Sequence, residues 1–419
     1  MSQPAPSPSF DELLRFFAWL GCVSFGGPAG QIAILREELV VRRRWLTSRE
    51  FSDGLNFCML LPGPEAHQLV IYSGWKLHGL PGAIAAGVLF VLPAALLLWA
   101  LSVAYVYCGA RPEMQTILGT MRPVVLAIII AAVVRMAGNH LTATRDWALA
   151  AAAFALMLFL GLPFPWVIVA ALVLGAVRPT TERKCELEED SAPVRRTPWL
   201  AVFFALVLWA APIVWAASVF GPNGLLTWLG LFFSKVAVIT FGGAYAVLPY
   251  VADYGVYQAG WLSSAAMRDG LALAETTPGP LIIVLQFVGF LAGWGYPGSL
   301  PPLTMATLAA AITTWVTFLP SLVFVLLGAP QVERLARNAR ARAIMQTVSA
   351  AVVGVIANLA AWFAAGVFTP PPGAVAMIPL IPAAITGVAI WLLTSQGWSV
   401  PRVIMVAVLA GVVRVAVAS

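Results

Sequence analysis

Shifted by 216 residues, the sequence falls on itself. FFAWLGCVSFGG (16–27) lies over FFSKVAVITFGG (232–243), and WLTSREFSDGL (45–55) over WLSSAAMRDGL (261–271). Pro62-Gly63-Pro64 lies over Pro278-Gly279-Pro280, and Gly79-Leu80-Pro81-Gly82 over Gly295-Tyr296-Pro297-Gly298. Residues 16–82 hold 18 identities in 67 positions without a gap. Glycine and proline dominate the matches, and these residues fix backbone geometry. Further on the offset becomes 227: Pro93 matches Pro320, and RPVV (122–125) falls on SAAV (349–352). The chain is a duplication whose second copy has an insertion after its Pro-Gly-Pro helix.

Each copy is too apolar for a water-soluble domain. The chain is 61% hydrophobic and 10% charged, against ~45–50% and ~25% in an average soluble domain. Stretches such as Ala83 to Tyr107 and Pro301 to Leu327 are long enough to cross a ~30 Å hydrocarbon core as helices. The fold expected is an all-α polytopic membrane protein. The polar, Pro-rich MSQPAPSPSF has no charged-then-apolar leader, so no cleavable signal is expected. The net charge of +6 resides largely in arginines of short loops, which fits membrane orientation rather than nucleic acid. Cys22, Cys58, Cys108 and Cys185 show no metal or redox spacing and read as inert thiols.

Arginine also orients the copies. The loop at 36–49 holds Arg36, Arg42, Arg43, Arg44 and Arg49, and its equivalent at 252–265 holds no lysine or arginine. Conversely, 331–342 holds Arg334, Arg337, Arg340 and Arg342, and its equivalent near 104–115 holds only Arg111. Basic loops stay in the cytoplasm, so the copies are expected to be inverted. The expected division is an N-terminal repeat at 1–177, a charged cytoplasmic linker at 178–198, a connecting span at 199–220 and a C-terminal repeat at 221–419. Each repeat reads as a helix broken at a glycine pair, short helices broken at Pro-Gly-Pro, and two long spans (81–107 and 113–138; 301–328 and 343–366). A short helical pair closes each repeat (147–160 and 164–177; 374–393 and 399–417). The broken pairs are expected to dip in and return.

Breaks at corresponding positions of inverted repeats point to a transport site near the midplane. Pro28, Pro64 and Pro280 suit the first position of a new helix, where the missing N–H costs nothing. A helix N-terminus offers free N–H groups and roughly half a positive charge. Four such ends, at Gly26-Gly27, Gly63-Pro64, Gly242-Gly243 and Gly279, would suit a small oxyanion. Ser24 and Thr240 are matched hydroxyls that either donate to that anion or bond back to their own helix. Lys235, the only lysine inside an apolar segment, either offsets a dianion, pairs with Glu275, or snorkels to an interface. Gln31, Gln68 and Gln286 suit ligand contact or interhelical bonding. Glu65 is either a helix-end cap or a protonatable gate, Glu275 raises the same question, and His67 is either a titrating or a structural imidazole. Asp53 and Asp269 are matched acids that read as helix caps or packing groups.

No phosphate-binding loop, HExxH, GxSxG or Cys/His metal cluster occurs, so neither an enzyme nor an ATP motor is expected, and no cofactor. A dianion leaving a negative-inside cell moves downhill by about 4–5 kcal/mol per 100 mV.

VSFGGPAGQIA, RRRWLTSREFSDGLNFCMLLPGPEAHQLVIYSGWKLHG and AVITFGGAYAVLPYV with its downstream TTPGPLIIVLQFVGFLAG resemble the chromate ion transporter family in its long two-domain form. The resemblance covers nearly the whole chain. It implies a bacterial inner-membrane protein with a cytoplasmic N-terminus that exports chromate, with sulfate as a competing or alternative cargo. Family motifs fall on Gly26, Gly27, Pro62, Gly63, Pro64 and Glu65, and on Gly242, Gly243, Pro278, Gly279 and Pro280. His67 departs from the glutamine expected there. The residue pattern alone reaches only a small oxyanion as ligand, and is compatible with a homodimer.

Overall fold

A computed structural model describes residues 8–178, 198–332, 338–369 and 380–418. Cys185, Arg334, Arg337 and nearly all of the charged linker lie outside the described residues. The described residues form sixteen α-helices and no strand. The first copy supplies α1 (Phe10–Val23), α2 (Gly27–Arg36), α3 (Ser48–Cys58), α4 (Glu65–Cys108), α5 (Pro112–His140), α6 (Thr144–Leu160) and α7 (Phe164–Val177). Helix α8 (Trp199–Phe220) follows. The second copy supplies α9 (Leu225–Ile239), α10 (Ala244–Ala252), α11 (Ser264–Thr276), α12 (Val284–Gly295), α13 (Pro302–Gly328), α14 (Ala339–Phe368), α15 (Leu380–Thr394) and α16 (Val400–Ala418). The same elements recur in the same order. Even the turn of π-helix after α2 (Glu37–Arg42) recurs after α10 (Asp253–Gln258).

Local chemistry accounts for these boundaries. The α3 cap is reciprocal: the Glu50 N–H donates to Thr47 Oγ1 (3.1 Å) and the Thr47 N–H to the Glu50 carboxylate (2.9 Å). The matched Ser263 caps α11 by accepting from the Ala266 N–H at 3.1 Å. Ser9 and Glu12 cap α1 in the same way as Thr47 and Glu50. Helix α4 is not one rod. It breaks at His78 (φ −132°, ψ 20°) and Gly79 (φ 63°, ψ −145°), as the Gly-Leu-Pro-Gly motif requires.

Among the described residues, six helices are long and apolar enough to cross a membrane: α4, α5, α8, α13, α14 and α16. Five coincide with the spans expected from sequence. The sixth, α16, was expected as a short member of a closing pair; its two arginines, Arg402 and Arg414, sit near its ends and leave an uninterrupted apolar middle.

The copies interlock. Helices α6 and α7 of the first copy pack against α14 of the second, and α15 and α16 pack against α5. Helix α13 packs against α4 and α8 as well as α12 and α9. With lipid outside, no hydrophobic drive holds apolar helices together, and close approach at small residues takes its place. Gly354 of α14 abuts the main chain of Ala150 in α6, and Gly411 of α16 abuts Ile117 in α5. A Cβ at Gly354 would overlap that main chain, so Gly354→Leu should destabilise the purified protein by about 1–3 kcal/mol or more. Gly119→Ala meets nothing within 4 Å and should hold or raise the thermal midpoint. Thermal unfolding in detergent reads both.

Candidate functional site

The four breaks lie together because the copies exchange main-chain hydrogen bonds. The Gly63 N–H donates to the Thr240 carbonyl at 2.6 Å, and the Gly279 N–H donates to the Ser24 carbonyl at 2.8 Å. Ser24 and Thr240 end α1 and α9, where a carbonyl loses its helical partner. Each Pro-Gly-Pro loop thus satisfies the broken helix of the other copy. The six matched glycines all have left-handed or otherwise positive φ: Gly26 91°, Gly27 68°, Gly63 123°, Gly242 76°, Gly243 89° and Gly279 92°. Side-chain-bearing residues rarely adopt these angles, which accounts for their recurrence.

A cavity of about 310 Å³ opens beside these breaks. Three helix beginnings line it: Gly26, Gly27 and Pro28 at α2, Gly242 to Tyr245 at α10, and Glu65 at α4. The glycine pairs are close neighbours; a Cβ built on Gly27 would lie 3.9 Å from the Tyr245 hydroxyl, and one on Gly243 would lie 4.0 Å from Pro28 Cγ. None of these three helices carries a side-chain cap, in contrast to α1, α3 and α11. Helix α5 forms another wall with Ile128, Ala131, Arg135, Asn139 and His140. Arg135 makes no ion pair within 4.0 Å among the described residues, and Glu65 makes neither an ion pair nor a hydrogen bond there.

The cavity brings together Gly26, Gly27, Glu65, Gly242 and Gly243. The other expected residues lie elsewhere. The Gly63 and Gly279 amides are already bonded and Pro64 has no N–H, and three of the four expected helix ends line the cavity. Thr240 Oγ1 donates back to the Val236 carbonyl at 2.6 Å, whereas the buried Ser24 hydroxyl has no hydrogen-bond partner among the described residues. Lys235 is exposed, with Nζ 5.6 Å from the Tyr250 ring centre. Its neighbours Val236 and Ala237 face the core, so helical geometry turns the lysine outward and away from Glu275. Gln286 joins helices: its Nε2 donates to the Ala95 carbonyl at 2.8 Å and its Oε1 accepts from Thr314 at 2.9 Å. Gln31 donates to the Gly279 carbonyl at 2.5 Å and Gln68 to the Pro62 carbonyl at 2.6 Å, stiffening the loops. His67 is buried against Phe90 and Phe318, with Nε2 3.3 Å from the Gly87 carbonyl oxygen. Glu275 stands behind the wall and accepts from the Tyr245 hydroxyl at 2.5 Å.

Neither matched acid caps a helix. Asp53 is 4.0 Å from Arg49 on its own helix. Asp269 takes a fork from Arg122, Nε to Oδ1 at 2.7 Å and an Nη to Oδ2 at 2.9 Å, and accepts from the Tyr105 hydroxyl at 3.1 Å. Sequence reasoning missed Arg135 and Arg122. The available signal was an arginine inside the otherwise apolar run of α5, the same signal that singled out Lys235.

An all-helical, multi-pass membrane architecture with a cavity at paired helix breaks is the class of structure used to hold small solutes within the bilayer. The family model for chromate transporters matches residues 12–176 and 227–413, and the chain belongs to that family. The chain is 33% identical to a chromate transport protein of Pseudomonas aeruginosa, over 84% of this chain and 80% of that one. It is 30% identical to a chromate transport protein of Cupriavidus metallidurans, covering 84% and 82%. It is 28% identical to a probable chromate transport protein of Synechococcus elongatus, covering 84% of each. No solved structure matches.

The break geometry has a direct test. Gly279→Ala combines a φ of 92° with a Cβ that would sit 2.7 Å from Ala94 Cβ, and should lower stability by about 1–3 kcal/mol. Thr240→Val keeps the carbonyl that Gly63 uses and should move the thermal midpoint far less.

Proposed function

We propose that this protein is a secondary transporter that exports chromate from the cytoplasm, holding the dianion in the cavity between α2 and α10. The observation that carries this is the meeting of three uncapped helix N-termini and Arg135 on one cavity. Each N-terminus contributes roughly half a positive charge and free N–H groups, and glycine lets the oxyanion reach the backbone. Arg135 adds a full charge and a planar fork suited to two anion oxygens. No ATP is required, since the membrane potential drives a dianion outward. The same reading takes residues 1–177 and 221–419 as inverted repeats in a bacterial inner membrane, with the N-terminus in the cytoplasm; its support is the distribution of arginine. Sulfate is the second cargo, because both anions are tetrahedral dianions and the cavity walls address shape and charge alone.

Everted vesicles with radiolabelled chromate and sulfate test this. Under an inside-positive potential the vesicles should accumulate chromate, with sulfate competing. Arg135→Gln should raise the half-saturating concentration about tenfold, equivalent to ~1.4 kcal/mol, and Lys235→Met should leave it within about twofold, as its outward position requires. Absence of any oxyanion accumulation would refute export.

Glu65 serves as the gate in this scheme. Its carboxylate begins α4 on the cavity wall without a partner, where it repels a bound dianion until protonated. The titratable groups facing it are Arg135 and His140 of α5, Tyr245 of α10 and Cys58 of α3. Flux should therefore rise as pH falls, and Glu65→Gln should hold flux near its acidic level at every pH. A Glu65→Gln protein that fails to fold would instead mark the carboxylate as a structural cap.

A further inference from the structure

The duplication gives every cavity residue a counterpart in the other copy, and the counterparts differ in chemistry. Glu65 corresponds to Leu281 and Arg135 to Trp362. Ser349, which lines the cavity, corresponds to Arg122. Asp53 corresponds to Asp269. On the cavity side the serine and Asp53 are not joined, and Asp53 turns to Arg49. On the other side the same two positions are joined by the Arg122–Asp269 fork, and Asp269 is buried. The larger cavity, about 310 Å³, lies on the side where the pair is missing, and the counterpart side holds a smaller one of about 150 Å³ that includes Trp362.

Position and charge add to this. The cavity runs along α5 toward its C-terminal end at Asn139 and His140. Arg122 lies on the same helix about 20 Å away from Arg135, given ~1.5 Å per residue, past the level of the breaks. Tyr105 and Gln115 are its other neighbours, the Gln115 Oε1 accepting from it at 3.5 Å. Arg268, next to Asp269, lies 5.5 Å from the ring centre of Trp362, and its buried Nε has no hydrogen-bond partner. Asp269 pairs with Arg122 alone, and Arg268 makes no ion pair with it within 4.0 Å among the described residues. A carboxylate gripped at both oxygens by a guanidinium occupies the geometry that a tetrahedral oxyanion would take. A dianion carries twice the charge of Asp269 and competes for that fork.

We propose that Arg122 is a second oxyanion ligand, on the exit side of the breaks, which Asp269 occupies until the cargo arrives. The inference rests on the export reading above. An anion leaving the Arg135 cavity displaces the Asp269 carboxylate from Arg122, with Arg268 alongside to take up the freed acid. Opening of the exit and arrival of the cargo are then one event.

The test uses the full chain in liposomes, with radiolabelled chromate flux as one readout and equilibrium chromate binding to the detergent-solubilised protein as the other. Arg122→Gln should lower flux at least about tenfold and leave binding within about twofold, because the first site uses Arg135. Arg122→Lys keeps the charge and loses the fork, and should lower flux similarly. Asp269→Asn frees Arg122, so exit-side chromate should inhibit export at a concentration about tenfold lower. The decisive variant is the double Arg122→Gln/Asp269→Asn, which leaves no unpaired buried charge. If the pair were only structural, the double variant would recover flux to within about twofold of wild type, and the proposal would be overturned; it should remain as inactive as Arg122→Gln. Wild-type protein that neither binds nor moves an oxyanion would overturn the export reading itself, and is distinguishable from recovery in the double variant.

Discussion

Two main-chain hydrogen bonds, Gly63 N–H to the Thr240 carbonyl and Gly279 N–H to the Ser24 carbonyl, hold the centre of this protein together. Inside a bilayer an unsatisfied backbone group costs several kcal/mol, so a broken membrane helix is tolerated only where another part of the protein completes it. Here each copy completes the other. The glycines take conformations closed to other residues, the prolines set the next helix, and the glycine pairs meet beside the cavity. Had the breaks been capped by their own side chains, the copies would have no reason to meet there.

The exchange continues at larger scale. The closing helices of each copy lie against the long helix of the other, α6 and α7 on α14, and α15 and α16 on α5. The walls that shape the cavity therefore come from both copies, including Ser349, Leu393 and Val400 of the second beside Arg135 of the first. The helices that start on the cavity, α2, α4 and α10, carry no side-chain cap. Uncapped ends facing a cavity are the feature a small anion would satisfy.

Much of this was legible in the sequence, for a physical reason. Glycine pairs and Pro-Gly-Pro impose backbone angles that few other residues allow, so their recurrence marked the breaks and paired them correctly. The long spans were legible from apolar run length. What escaped was whatever depended on contacts between distant segments. The commitment of the Gly63 and Gly279 amides could not be read, because their acceptors are main-chain carbonyls in the other copy. The exchange of closing helices left no trace, since α7 and α15 are apolar on all sides. Lys235 and Arg135 present the same signal, a cation in an apolar helix. Only the rotation of each helix sends one outward and the other to the cavity.

In the proposed function a tetrahedral oxyanion sits between the α2 and α10 N-termini within reach of Arg135. Anomalous X-ray diffraction at the chromium edge, from crystals grown with chromate, locates the anion directly. One chromium peak is expected between Gly26-Gly27 and Gly242-Gly243, weakened in Arg135→Gln crystals. A peak at the Pro-Gly-Pro glycines, or none in that cavity at saturating chromate, would contradict it.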